Sequence, residues 1–130
     1  MDDYPRLHAL SNGNILFTNE PTAYFLNVLT PLCNPPRWEN GQSSTFGTRR
    51  GGNSVQFVYH DPIFGVRDVV YAIGGTSGSD DDACSIGPGG VVTSNVEKLI
   101  APTTTVPWVV APSMTMPRYN HNAVILPTGA

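Results

Sequence analysis

Apolar and polar positions alternate along Asn53-Ser-Val-Gln-Phe-Val-Tyr59, where Val55, Phe57 and Tyr59 recur at every second residue. That is the period of a strand with one buried face. Downstream, Asp68-Val-Val-Tyr-Ala-Ile-Gly-Gly75 is a run of β-favouring residues that stops on two glycines. Gly74 and Gly75 allow positive φ and close backbone approach, so the strand is expected to end there and turn sharply. Two further stretches, Asn95 to Ile100 and the one around Trp108, complete the strands expected of one sheet, and Met114 to Gly129 reads as the first strand of the next.

The first third of the chain repeats this organisation. Apolar runs flank Ser11-Asn12-Gly13, and Asn-Gly between such runs predicts a hairpin closed by a type I′ turn. Thr22 to Leu29 reads as a third strand. Pro31, Pro35 and Pro36 cannot donate to a ladder and force a loop, after which Trp38 anchors a fourth, outer strand. Asp61-Pro62 and Gly65 mark the turn into the central strand. Long helical periodicity is missing, and 13 glycines and 12 prolines punctuate the chain, so the fold class is all-β.

Composition narrows the function classes. The 130 residues are 40% hydrophobic and 13% charged, ordinary for a globular domain. Net charge is −3 and only Arg49 and Arg50 are adjacent among the basic residues, which argues against a nucleic-acid partner. No apolar run is long enough to span a bilayer and the N-terminus carries no signal peptide, so no membrane partner is expected and no compartment is assigned. Cys33 and Cys84 match neither a zinc ribbon nor a redox pair; free thiols are the simpler reading and a single bridge stays open. The stretch Thr76 to Gly90 is a long polar loop, and Asp80-Asp81-Asp82 within it lacks the alternating ligands and distal Glu of a calcium loop.

A weak internal repeat accompanies the strands. Pro5-Arg6-Leu7-His8 is echoed by Pro117-Arg118-Tyr119-Asn120-His121, and Trp38 and Trp108 occupy matching late positions. Arg, Gly-Gly and Trp recurring at this spacing point to a kelch-type β-propeller, built from four-stranded antiparallel blades. The chain then divides into a first blade over 1–48, a second over 49–113 with the acidic loop 76–90, and the opening strand of a third over 114–130. Arg6, Arg50 and Arg118 could meet a carboxylate substrate, but recurrence once per unit favours a structural bridge between blades, like Gly74, Gly75, Trp38 and Trp108. His8 and His121 are the candidates for a pore-facing metal or substrate site, with a structural hydrogen bond as the plainer alternative. His60-Asp61 has no accompanying nucleophile elbow.

Tyr4 to Phe17, Val69 to Gly75, Asn95-Val-Glu, Trp108 and Met116-Pro-Arg-Tyr-Asn-His-Asn-Ala-Val-Ile-Leu-Pro-Thr-Gly129, in this order, resemble the central propeller of galactose oxidase and glyoxal oxidase-like proteins. The resemblance covers nearly the whole chain. It implies a seven-bladed, typically extracellular parent that oxidises alcohols or aldehydes with O₂ at one copper, using a tyrosine cross-linked to a cysteine. The family's adjacent Tyr-His ligands stand two and three positions after an arginine; after Arg118 those positions hold Asn120 and His121, and asparagine cannot be a phenolate ligand. Neither Cys33 nor Cys84 stands where the radical cysteine is expected. The resemblance therefore implies no cofactor and no catalytic residues in this chain itself, with copper only in a longer parent.

The chain stops within a blade pattern and reads as a fragment. Its expected partners are the remaining blades, supplied by the same longer chain or by self-association. Two functions follow as expectations: a partial propeller scaffold, inactive alone, or a kelch-type module binding protein or carbohydrate.

Overall fold

A computed structural model describes residues 6–18, 21–28, 37–47, 49–77 and 91–126. Every regular element among them is a strand. The first four, β1 (Arg6–Ala9), β2 (Asn14–Thr18), β3 (Thr22–Asn27) and β4 (Trp38–Ser43), form one sheet in sequential order. Next come β5 (Asn53–Asp61) and β6 (Gly65–Ile73), the short pair β7 (Thr76–Ser77) and β8 (Val91–Val92), then β9 (Val96–Ile100) and β10 (Val109–Ala111). Strands β5, β6, β9 and β10 make a second four-stranded sheet in that spatial order, while β7 and β8 pair separately as an excursion between β6 and β9. All pairs are antiparallel, so each large sheet is an up-and-down meander.

The hairpin at Asn12-Gly13 forms with a different turn from the one expected. Only Gly13 among the turn residues has positive φ, at 84°, and its N–H donates to the Leu10 carbonyl at 3.0 Å while the Leu10 N–H donates to Asn14 at 2.9 Å. This is a three-residue loop, a type I turn followed by a left-handed glycine. The Asn12 side chain explains the choice: its Oδ1 accepts from the Asn14 N–H at 3.0 Å, which holds Asn12 at negative φ.

The two sheets meet face to face. Leu10, Leu16, Ala23 and Phe25 of the first unit pack with Val70, Ala72, Leu99 and Trp108 of the second. Leu16, Val70 and Leu99 are almost wholly buried, and each contributes roughly 1.5–3 kcal/mol of transfer free energy. On β5 the alternation predicts the period but misplaces the core. Ser54 pairs with Ala72 and Gln56 with Val70, so these polar residues share the face turned to the first sheet. Val55, Phe57 and Tyr59 lie on the opposite face, half-buried, with the Phe57 and Tyr71 rings stacked at 6.0 Å.

The tryptophans differ in setting. Trp108 is buried in the core, whereas Trp38 is 51% exposed on the outer face of the first sheet. Residues 112–126 form no strand. Their backbone is committed to the end of the second sheet instead: Met114 donates to Ser94 at 2.9 Å, Asn120 to Gly51 at 2.7 Å, and Arg118 accepts from Gly75 at 2.9 Å. Cys33, Cys84 and most of the loop 76–90 lie outside the described residues.

Gly74 and Gly75 have φ of 59° and 95°, and a Cβ on Gly74 would lie 2.6 Å from the Arg118 carbonyl oxygen. Gly47 has a similar φ of 72° but nothing within 4 Å of its would-be Cβ. Gly47→Ala is therefore expected to cost about 1–2 kcal/mol from backbone strain alone, and Gly74→Ala clearly more. Urea unfolding of the two variants checks this; equal losses would contradict the close approach at Gly74.

Candidate functional site at the seam between the sheets

Three polar clusters cross from one sheet to the other. The first is built on Asp68, which begins the apolar part of β6 and points to the first sheet. Its carboxylate accepts from the Ser11 N–H at 2.9 Å, the Ser11 hydroxyl at 2.5 Å and Gln56 Nε2 at 2.8 Å. Gln56 also donates to the Ala9 carbonyl at 2.8 Å. One carboxylate thus fixes the β1–β2 turn against β5 and β6.

The second cluster is built on Glu97 of β9, paired with Ala72 and wholly buried. Arg49 Nε meets its Oε1 at 3.1 Å, the Thr45 N–H donates to Oε2 at 3.0 Å, and the Ser44 hydroxyl donates to Oε1. Arg49 Nη1 donates to the Gly74 and Asn95 carbonyls at 3.1 and 2.9 Å, and its guanidinium lies 5.2 Å from the Phe46 ring centroid. Burial lowers the Arg49 pKa and the Glu97 carboxylate pulls it back up.

The third cluster gathers residues singled out in the sequence. His8 on β1 and Ser54 on β5 are joined by a 2.7 Å hydrogen bond between Nε2 and Oγ, and the Thr18 hydroxyl donates to the same Oγ at 3.0 Å. Arg6 Nη2 donates to the Gly52 carbonyl at 3.3 Å. Asn53 Nδ2 donates to the His121 carbonyl at 2.7 Å, and the His121 ring sits against Gly74. Burial, then Arg6, lowers the His8 pKa; burial, then Arg118 and Arg6, lowers that of His121.

The pairs expected from the repeat, Arg6 with His8 and Arg118 with His121, thus converge on one corner of the seam. Arg50 pairs through its backbone with Thr76, whose N–H donates to the Arg50 carbonyl at 2.8 Å. Its neighbour Arg49 is the buried arginine between the sheets. Sequence reasoning passed over Arg49, Asp68 and Glu97. The signal was present, since a lone carboxylate inside an apolar strand, as in Val96-Glu97-Lys98-Leu99, calls for a buried partner.

Chemically the corner offers imidazole, guanidinium, hydroxyl and carboxamide groups. Among the described residues, no three His, Cys, Asp or Glu side chains come together as metal ligands. Asn120, with φ of 49°, brings a carboxamide to the turn beside His121. No described helix is long and apolar enough to cross a membrane. No protein-family model, curated protein or solved structure matches the chain.

Glu97→Ala leaves the Arg49 cation buried without its partner and is expected to cost about 3–5 kcal/mol. The double variant Arg49→Met/Glu97→Leu, which removes both charges, should recover most of that loss in urea unfolding. A double variant as unstable as the single would contradict the ion-pair account.

Both histidines titrate below their ordinary pKa of 6.5, so the unfolded chain takes up protons first as pH falls. Their contribution to stability is complete above about pH 6.5 and is lost as pH drops through the folded-state values. The urea midpoint should therefore fall between about pH 7.5 and 5.5, and fall less in His8→Gln/His121→Gln. An unchanged pH dependence in the double variant would contradict this assignment.

Proposed function

We propose that this chain is a scaffold section of a kelch-type β-propeller of the galactose oxidase and glyoxal oxidase kind, without a complete copper radical site and not catalytic by itself. One observation carries the reading. Two four-stranded meanders lie face to face, and the outer face of the first is left open around Leu7, Phe17, Tyr24 and Trp38, which line a cavity of about 480 Å³. A propeller blade has both faces covered by neighbours. An apolar, aromatic outer face is the surface that a further sheet would cover. The side-by-side placement of β1 and β5, joined through His8 and Ser54, also suits the inner strands of adjacent blades.

In this reading the partners are the remaining blades, from a longer chain or from other copies, and the parent would be extracellular, as the resemblance implies. Copper, if the parent holds it, takes its ligands elsewhere in the propeller. The buried polar groups of the present chain align sheets.

A second reading, a kelch-type binding module, is favoured by the tip of the β5–β6 hairpin. Ile63 and Phe64 are 81% and 66% exposed there. The tip is held in shape, since Asp61 Oδ1 accepts from the Ile63 and Phe64 N–H groups at 2.8 and 2.9 Å and Arg67 lies 4.3 Å from the Phe64 ring centroid. Rigid exposed aromatics on a loop are common binding anchors.

Light scattering on the chain and two variants separates these readings. The scaffold reading expects concentration-dependent association that weakens in Trp38→Glu and persists in Ile63→Ser/Phe64→Ser. A wild-type chain that stays monomeric at every concentration, or one whose association depends on the hairpin tip, would overturn it.

A further inference from the structure

The corner formed by Arg6, Arg118 and His121 has an electrostatic imbalance. Arg6 spends Nη2 on the Gly52 carbonyl, but its Nε is buried without a hydrogen-bond acceptor. Both ring nitrogens of His121 are buried and have no hydrogen-bond partner among the described residues. Among the described residues, the charged groups acting on its ring are Arg118 and Arg6, both cations. The two buried carboxylates of the seam are engaged elsewhere, Asp68 with Ser11 and Gln56, Glu97 with Arg49, Ser44 and Thr45. His8, the remaining titratable group on the adjoining strand, is held by Ser54.

Each buried donor without an acceptor costs about 1–3 kcal/mol, more where the group is charged. A neutral acceptor would satisfy a donor and leave the two guanidinium charges uncompensated. An anionic oxygen does both, through charge-assisted hydrogen bonds. We infer that this corner binds a small oxyanion, a carboxylate or sulfate group, held between the guanidinium groups of Arg6 and Arg118 and the ring of His121. The chemistry does not depend on whether the two sheets belong to a propeller.

The turn over 118–121 provides the way in. Arg118 is exposed, and Asn120 sits at a φ of 49°, a left-handed conformation that asparagine adopts more readily than most residues. Three backbone bonds tie the turn down, Gly75 N–H to Arg118, Arg118 N–H to Thr93 and Asn120 N–H to Gly51. The exposed Arg118 side chain marks the solvent side of the corner, and the Asn53 carboxamide holds the His121 carbonyl in place. The anion then supplies the partner that the closed corner lacks.

The test is a titration of the full chain with sodium sulfate and, separately, sodium malonate, at ionic strength held constant with sodium chloride. Ring signals of His121 are followed by NMR, with His60 on β5 as an internal control. The expected result is a saturable shift of His121 alone, with affinity reduced roughly tenfold in Arg118→Gln, the loss of one charge-assisted hydrogen bond. Arg6→Gln should act in the same direction, and Arg118→Gln keeps the test valid if Arg6→Gln fails to fold. Saturation by either anion supports the site, and the difference between them reports its preference for planar or tetrahedral geometry. Absence of a saturable shift with both anions, equal shifts at His60, or unchanged affinity in Arg118→Gln would overturn the inference.

Discussion

Glu97 is 0% exposed, and a carboxylate with no contact to water has to be matched by groups placed to receive it. Its matches come from outside its own sheet: Arg49 from the connection between the sheets, and Ser44 and Thr45 from the end of β4. Arg49 in turn reaches the Gly74 and Asn95 carbonyls at the ends of β6 and β9. The two sheets can therefore meet in only one register without stranding a buried charge. Hydrophobic burial of Leu16, Phe25, Val70 and Leu99 drives the faces together, but apolar contacts tolerate sliding, whereas the ion pair and its hydrogen bonds do not.

The glycines follow from the same constraint. Gly74 and Gly75 lie between Arg49 on one side and the Arg118 to His121 turn on the other, with would-be Cβ contacts of 2.6 Å and 3.0 Å to backbone atoms. Side chains there would hold the connection away and break the approach of Arg49 to Glu97. Asp68 performs a related role at the other end of the apolar part of β6, where it ties the first hairpin to β5. The seam is thus polar at both ends and apolar in the middle. Its third polar cluster, at Arg6 and His121, differs from the other two in having, among the described residues, cations without a carboxylate.

Much of the fold was legible because its determinants are local. Alternation along β5, the glycine stop after β6 and the Asn-Gly hairpin each predict an element that the structure contains. What the sequence left open depends on partners distant along the chain. Which face of β5 turns inward is decided by the pairing of Gln56 with Val70, not by where the aromatic residues fall. The turn at Asn12 is decided by a side-chain cap on Asn14. Arg50 and Arg49 are indistinguishable in sequence, and only the position of Glu97 selects Arg49. The repeated Arg and His motif was legible, but that Arg6 comes to lie near His121 depends on the assembled seam.

The buried polar seam makes the two sheets one cooperative unit. Native-state hydrogen exchange with increasing denaturant tests it most directly, by comparing the amides of Leu16 and Phe25 in the first sheet with those of Val70 and Leu99 in the second. One cooperative unit predicts that all four reach the same opening free energy and the same denaturant dependence. If the amides of Leu16 and Phe25 opened at markedly lower free energy while those of Val70 and Leu99 stayed protected, the sheets would be independent and the account would be contradicted.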